Sequence, residues 1–236
     1  MREIQIYETA DILCERLCEE LLAPTSTSDP LYIALSGGTT PTLFFEKMAE
    51  YEEPAVFKNI HFCWVDERHV PEDDPESNYG VFRRLLVDTG IVPEENVHPI
   101  KYHPDIHQMA ANYEQELRQL VPFMDDLPVF DEIILGVGED GHTASIFPDR
   151  LDLFETKDIV AVTRHPVTGQ GRVTLTGSTI NNCYEVTVLC TGEKKRRILD
   201  KVLRWNNPEY PISHVKLLLF ASVIFKLDLA ASRYSL

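Results

Sequence analysis

The sequence predicts a Rossmann-like α/β fold, with a mainly parallel sheet covered by helices on both faces. Short apolar runs alternate with stretches of helical periodicity along the 236 residues, an order typical of parallel strands joined by helical crossovers. Several apolar runs also end in glycine-rich or charged loops, which is where open α/β sheets bind their ligands. No internal repeat interrupts this pattern, so we expect residues 1–236 to form a single domain.

The individual elements follow from hydrophobic periodicity. Apolar positions at helical spacing predict helices over 8–22, 41–51, 78–87, from Ile106 onward, and in the basic segment from Glu193. Apolar or β-branched runs predict strands at 31–35, 60–65, 133–135, 159–163, 173–176, 185–190, 216–220 and 223–227. A Ser/Thr/Pro connector fills 24–30.

Charge and hydropathy limit the partners that the protein can have. The net charge is −16, from 38 acidic and 22 basic residues, which argues against a nucleic-acid or anionic-membrane partner. The N-terminus has no apolar signal core, and the longest apolar stretch is too short to span a bilayer. We therefore expect a cytoplasmic protein, a monomer or small homo-oligomer, that binds a small molecule.

The cysteines and histidines predict no metal site. Five cysteines without a secretory signal indicate free thiols. Cys14 and Cys18 lie one helical turn apart among leucines, so they are expected to be buried helix positions. His103 and His107 have i,i+4 spacing but no glutamate in a zinc-protease arrangement, which favours solvated residues at a helix start.

The loop after the strand at 31–35 has the chemistry of an anion site. It contains Ser36, Gly37, Gly38 and Thr39, and Pro41 then suits the first turn of a helix. Glycines let backbone N–H groups approach a ligand, and a helix N-terminus adds unpaired donors and a positive dipole end. The loop lacks the nucleotide P-loop ending and the dinucleotide fingerprint, so phosphate binding stands beside the alternative of an ordinary βα turn.

Cations follow other strand ends. Asp66 and Arg68 come after the strand at 60–65, and the fork of Arg68 suits phosphate. Arg172 precedes the run at 173–176. Lys194 and Lys195 stand at a helix start, where they oppose the helix dipole, so a bound anion would offset that cost. The alternative is a solvated basic surface, and which of the two lysines faces a site stays open.

The loop after the strand at 133–135 carries the residues best suited to catalysis. Asp140 and His142 lie two residues apart on a glycine-rich segment. Histidine suits base chemistry near neutral pH, and a neighbouring carboxylate can orient it. The alternative is a βα turn with a surface histidine.

Together these motifs resemble the 6-phosphogluconolactonases, within the superfamily that includes glucosamine-6-phosphate isomerases. The resemblance covers about residues 30 to 200. It rests on residues 35–41, Asp66-Glu67-Arg68 with Ser77-Asn78, residues 136–148, residues 172–176, and Gly192 with Lys195. The block Asp140-Gly141-His142-Thr143-Ala144-Ser145, followed by Phe147-Pro148, is the most specific.

The resemblance implies hydrolysis of 6-phosphoglucono-δ-lactone without a metal or organic cofactor. His142 would take a proton from water, and Asp140 would orient either the histidine or the water. Ser36 to Thr39, Asp66, Arg68, Arg172 and Lys195 would hold the sugar phosphate. One alternative is an aminosugar-phosphate isomerase. Those enzymes also resemble this chain, but they carry an acidic residue near the position that Phe147 occupies here. A non-catalytic sugar-phosphate-binding module is the other alternative. A serine hydrolase is disfavoured, because no Gly-x-Ser-x-Gly elbow occurs.

Overall fold

A computed structural model describes residues 2–23, 29–51, 54–205, 207–216 and 222–232. Their strands are β1 (Arg2–Tyr7), β2 (Leu31–Leu35), β3 (Ile60–Trp64), β4 (Asp66–Arg68), β5 (Val97–His98), β6 (Phe123–Met124), β7 (Leu127–Pro128), β8 (Phe130–Gly136), β9 (Val160–Arg164), β10 (Gly171–Leu175), β11 (Cys183–Cys190) and β12 (Ser222–Asp228). Their helices are α1 (Ala10–Leu21), α2 (Thr39–Ala49), α3 (Asn78–Phe82), α4 (Ile106–Leu120), α5 (Gly177–Ile180) and α6 (Arg196–Trp205). Short 3₁₀ segments complete them at Pro54–Phe57, Glu94–Asn96, Pro148–Phe154 (with a kink at Arg150), Glu193–Lys195 and Pro211–His214, together with a π-helical turn at Arg83–Val87.

The centre of the fold is a parallel sheet in the order β1-β12-β11-β8-β2-β3-β5. Its middle strands are nearly continuous apolar runs such as 133–135, because parallel strands are buried on both faces. This arrangement confirms the predicted α/β class with a mainly parallel sheet. The carboxyl ends of β2, β8 and β11 come together at one edge, so the loops that follow them are neighbours.

A second, antiparallel sheet in the order β4-β10-β9 stands beside this edge. The runs at 159–163 and 173–176 are strands as predicted, but they pair with each other as a hairpin. Their connection, residues 165–170, is too short for the crossover that a parallel pair requires. The hairpin brings β10 alongside β4 and thereby places Arg172 opposite Arg68.

Several element boundaries differ from the predicted ones. Helix α2 begins at Thr39, two residues before Pro41, which lies in its first turn as expected. The helix predicted over 78–87 changes to a π-helical turn at Arg83, and the helix predicted from Glu193 opens with a 3₁₀ turn. Strand β1 and the short β4 and β5 were not predicted. Residues 24–28 of the predicted connector lie outside the described residues, and so do residues 217–220 of the strand predicted at 216–220.

The five cysteines are free, as predicted, and all are buried, whereas burial was predicted for Cys14 and Cys18. Cys14 and Cys18 face the core from α1, and burial raises the pKa of Cys14 to about 12. These thiols therefore behave as small apolar side chains. Within the described ranges, no helix is both long and apolar enough to cross a bilayer.

Candidate active site

A cavity of about 210 Å³ opens at the carboxyl ends of β2, β8 and β11. The residues that follow these strand ends, Ser36, Val137 and Thr191, all line it. Side chains from β4 and β10 form one wall. The cavity thus lies where open α/β sheets bind ligands, and its volume suits a ligand smaller than a drug molecule.

The loop of Ser36 to Thr39 presents hydrogen-bond donors to the cavity. The N-cap of α2 is Gly38, with a φ of 107°, which has no side chain to cap this helix end. Gly37 must be glycine, because a Cβ there would lie 1.8 Å from Oδ1 of Asn78. The buried Ser36 hydroxyl has no hydrogen-bond partner in the described part of the chain. Because buried polar groups are almost always paired, this hydroxyl and the first N–H groups of α2 are suited to an anionic ligand.

Two guanidinium groups form the wall opposite this loop. Arg68 and Arg172 are direct cross-strand partners in the β4–β10 pair, an arrangement that is unfavourable for like charges. Burial lowers the pKa of Arg172 below its ordinary value; Asp66, 3.9 Å from its guanidinium, opposes this effect, and Arg68 adds to it. In both arginines Nε is buried without a partner among the described residues. A bound anion would relieve the repulsion and satisfy these donors.

A third cation reaches the cavity from the turn after β11. Lys195 lines the cavity, whereas Lys194 is exposed and does not, which favours Lys195 in the choice that the sequence left open. The Asp228 carboxylate accepts a hydrogen bond from Gly192 N–H at 3.0 Å and so fixes the turn. The hydroxyl groups of Thr40 and Thr191 lie 2.6 Å apart and join this turn to α2.

His142 and Asp140 form a hydrogen-bonded pair in the loop that follows the carboxyl end of β8. Nδ1 of His142 lies 2.6 Å from Oδ1 of Asp140, and His142 N–H donates to the same oxygen at 3.2 Å. Burial alone would raise the pKa of Asp140, but the hydrogen bonds and charge of His142 lower it by more, so its net pKa lies below the ordinary value. An ionised Asp140 places the proton of neutral His142 on Nδ1, which leaves Nε2 free to act as a base. His142 lines the cavity and Asp140 stands behind it.

The His142 loop (residues 138–146) is held in a tight conformation. A Cβ at Gly138 would lie 2.1 Å from Nδ1 of His142, so only glycine fits there. Gly138 N–H donates to the His142 carbonyl at 2.8 Å, and Gly141 N–H donates to the Gly138 carbonyl at 3.0 Å. Ala144 has a φ of 48°, a left-handed conformation that costs energy for a residue with a Cβ. Such strain persists where the surrounding structure fixes the backbone.

Hydrogen bonds on both sides of Ala144 fix that conformation. Thr143 Oγ1 donates to the Gly136 carbonyl at 2.9 Å, and Ser145 N–H donates to Oγ1 of Thr174 at 3.2 Å. The buried Ser145 hydroxyl donates to Oδ2 of Asp66 at 2.5 Å. Asp66 therefore joins the His142 loop to the arginine wall, and a carboxylate there suits sugar hydroxyls better than phosphate.

Glu67 and His69 belong to the same polar segment, residues 66–69, as Asp66 and Arg68, but they lie away from the cavity. Glu67 is buried, and its carboxylate accepts hydrogen bonds from the N–H groups of Asn78 and Tyr79 at the start of α3. His69 contacts the carbonyl of His103 at 2.9 Å. Neither lines the cavity, so we assign both a structural role.

Of the residues predicted for a site, all except Asp140 line this one cavity; they are Ser36, Gly37, Gly38, Thr39, Asp66, Arg68, His142, Arg172 and Lys195. Sequence reasoning missed Thr40, Ala144 and Thr191, which also line it. Thr191 follows a predicted strand directly, and that position was a usable signal. Within the described ranges, no three His, Cys, Asp or Glu side chains group so that they could hold a metal ion.

Comparison with known proteins places this architecture among sugar-phosphate enzymes. The family model of glucosamine-6-phosphate isomerases/6-phosphogluconolactonase matches residues 6–219. A 6-phosphogluconolactonase from Haemophilus influenzae is 38% identical over 214 residues, 89% of this chain and 90% of the relative. The solved 6-phosphogluconolactonase of Trypanosoma brucei superposes with a TM-score of 0.87 at 30% identity, over 98% of this chain and 97% of its own. A monomeric glucosamine-6-phosphate deaminase shares the fold alone, with 18% identity and a TM-score of 0.79 over 97% of this chain and 98% of its own.

Proposed function

The chain belongs to the family of glucosamine-6-phosphate isomerases and 6-phosphogluconolactonases, and we propose that it hydrolyses 6-phospho-D-glucono-1,5-lactone to 6-phospho-D-gluconate. This reaction would make it a lactone (carboxylic ester) hydrolase of the oxidative pentose phosphate pathway, acting in the cytoplasm and without a cofactor. The family contains two chemistries, so the choice between them must come from the site.

One observation carries the proposal: a cationic subsite and a hydrogen-bonded His–Asp pair share one cavity. Arg68, Arg172 and Lys195 line it together with His142, although the whole chain carries a net charge of −16. The cations and the donors of the Ser36–Thr39 loop suit the substrate phosphate. The lactone ring would then lie against His142.

The proposed reaction uses His142 first as a base and then as an acid. Nε2 of His142 takes a proton from water as the water oxygen attacks the lactone carbonyl carbon. The tetrahedral intermediate collapses with cleavage of the bond between that carbon and the ring oxygen. The imidazolium returns its proton to the departing ring oxygen, which becomes the hydroxyl group of the ring-opened acid. Asp140 stabilises the imidazolium through Nδ1.

The oxyanion of the intermediate needs separate donors. The N–H groups of Gly138 and Gly141 are already used within the loop, which disfavours them. Arg68 lines the cavity and has a buried Nε without a partner in the described part of the chain. We therefore propose that Arg68 stabilises the oxyanion in addition to its charge near the phosphate.

The catalytic demand of this reaction is modest. A positioned general base typically supplies about 10²–10⁴-fold, and δ-lactones already hydrolyse unaided in water. Base catalysis together with positioning of substrate and water therefore suffices in our proposal.

The environment of His142 supports the lactonase over the isomerase. Phe147 is buried, and its ring centroid lies 5.0 Å from that of His142. An isomerase needs a further acid or base for ring opening and proton shuttling. An apolar ring cannot take that role, so this position favours hydrolysis.

A substrate comparison tests the proposal. We expect purified protein to accelerate the decay of 6-phosphogluconolactone, generated in place from glucose 6-phosphate, and to leave glucosamine 6-phosphate unchanged. Turnover of the aminosugar alone would assign the isomerase reaction instead. Binding of 6-phosphogluconate without turnover of either substrate would assign a non-catalytic binding module.

A further inference from the structure

The His142 loop is supported from outside the cavity by a residue that the reaction itself does not require. Tyr210 lies just before the 3₁₀ turn at Pro211–His214. Gly141, between Asp140 and His142, has a φ of 82°, and a Cβ there would lie 2.6 Å from Cδ1 of Tyr210. The tyrosine ring therefore packs directly against the backbone that separates the two members of the His–Asp pair.

The same segment also holds the loop by a backbone hydrogen bond. Ile212 N–H donates to the Gly141 carbonyl at 3.1 Å, and Ser213 N–H donates to the Tyr210 carbonyl at 2.9 Å. Gly141 is thus in contact on two sides, with the Tyr210 ring and with the backbone of the turn. Within the loop, Gly141 N–H donates to the Gly138 carbonyl, so both backbone polar groups of Gly141 are hydrogen-bonded.

Tyr210 is itself held in place by α6. Lys201 Nζ donates to the Tyr210 hydroxyl at 2.6 Å and lies 5.1 Å from the centroid of its ring. Helix α6 follows directly on the turn that carries Lys195 into the cavity. One helix therefore connects the cationic subsite to the ring that supports the His–Asp pair.

We propose that Tyr210 is a positioning residue: its ring, fixed by Lys201, holds Gly141 and thereby keeps Asp140 and His142 in the geometry that base catalysis needs. The inference rests on the proposed lactonase function. A displacement of about 1 Å at a reacting group costs up to about 10²-fold in rate. Loss of the ring should therefore reduce kcat, while the phosphate contacts, which come from other elements, stay intact.

The test compares Tyr210→Ala with Tyr210→Phe and a matched control. Tyr7 is also half-buried and has a lysine, Lys226, 5.9 Å from its ring centroid, but no contact joins its side chain to the His142 loop in the described part of the chain. We expect Tyr210→Ala to lower kcat about tenfold to a hundredfold, with KM and inhibition by inorganic phosphate within about threefold of wild type. Tyr210→Phe keeps the ring but loses the hydrogen bond from Lys201, so it should lower kcat by a smaller factor than Tyr210→Ala. Tyr7→Ala should keep kcat within about threefold.

Two further measurements keep the test decisive. If Tyr210→Ala does not fold, Lys201→Met takes its place and should lower kcat in the same direction by a smaller factor. Amide hydrogen exchange in residues 138–142 should be faster in Tyr210→Ala than in wild type, whether or not the protein hydrolyses the lactone. An active wild type with unchanged kcat in Tyr210→Ala would overturn the positioning role alone. An inactive wild type would overturn the proposed function, and exchange would then decide whether Tyr210 supports the loop.

Discussion

At the scale of single residues, the paired arginines carry the phosphate proposal. Arg68 and Arg172 are held side by side although their charges repel, and the acidic partner of Arg172 within the described ranges is Asp66, at 3.9 Å. Because the two guanidinium groups are kept together in a buried wall, an anion bound between them would offset their repulsion and stabilise the pair.

Replacement of Arg172 tests this assignment. Arg172→Ala should raise KM for the lactone about tenfold to a hundredfold, since a hydrogen bond to a charged group is worth about 1.5–3 kcal/mol, and should leave kcat within about threefold. The reason is that phosphate contacts are equal in the ground and transition states. Steady-state kinetics would check it, with Arg164→Ala, an exposed arginine on the neighbouring β9, as the control. A fall in kcat alone would place Arg172 at the oxyanion instead.

Sequence patterns locate cavity residues when the signal is local. Ser36 and Arg68 each lie just beyond a predicted strand, and His142 lies on a glycine-rich loop after another, so adjacency in a parallel sheet brings them together. Tyr210 has no such signal, because its contact with Gly141 joins segments far apart in the chain. The sequence also could not distinguish the roles of Asp66 and Glu67. These roles depend on which of the two carboxylates binds the N–H groups at the start of α3.

At the scale of elements, apolar or β-branched runs predict the central strands and period-3.6 patterns predict the long helices, whereas short and edge elements are not predicted. Strand β1 is an edge strand of alternating polarity, and its six residues lack a long apolar run. The β9–β10 hairpin is predicted as two strands, but its sheet is not, because pairing with β4 is a long-range contact. That second sheet supplies one wall of the site.

The pairing of β3 with β5 has a consequence for stability. His61 Nδ1 lies 3.0 Å from Nε2 of His98, and their rings stack. Burial, and then the proximity of His98, lower the pKa of His61 below its ordinary value near 6.5. During acidification the unfolded chain therefore binds a proton at His61 before the folded protein does. Stability should fall as the pH drops below about 6.5.

Denaturant unfolding at pH 7.5 and 5.5 checks this prediction. Wild type should lose more free energy of unfolding between the two pH values than His61→Gln, because each pKa unit of difference is worth about 1.4 kcal/mol. His107→Gln, exposed at the start of α4, is the matched control and should behave as wild type. An equal loss in His61→Gln would show that this pair does not control the acid response.

At the scale of the whole molecule, the fold does not determine the reaction. A deaminase with only 18% identity shares the architecture, whereas the 6-phosphogluconolactonases of Haemophilus influenzae and Trypanosoma brucei are also similar in sequence. The proposed reaction therefore rests on the site of this chain: three cations in an otherwise acidic protein, and Phe147 against the ring of His142. The single-domain organisation and the oligomeric state stay predictions.

The most direct measurement is the decay of 6-phosphogluconolactone with wild type, with His142→Ala and with buffer. We expect wild type to accelerate the decay and His142→Ala to lower kcat by about two to four orders of magnitude, because the base that activates water is lost. Inhibition by inorganic phosphate should survive the substitution. Equal turnover by His142→Ala would remove His142 from the mechanism, and a wild type no faster than buffer would contradict the lactonase altogether.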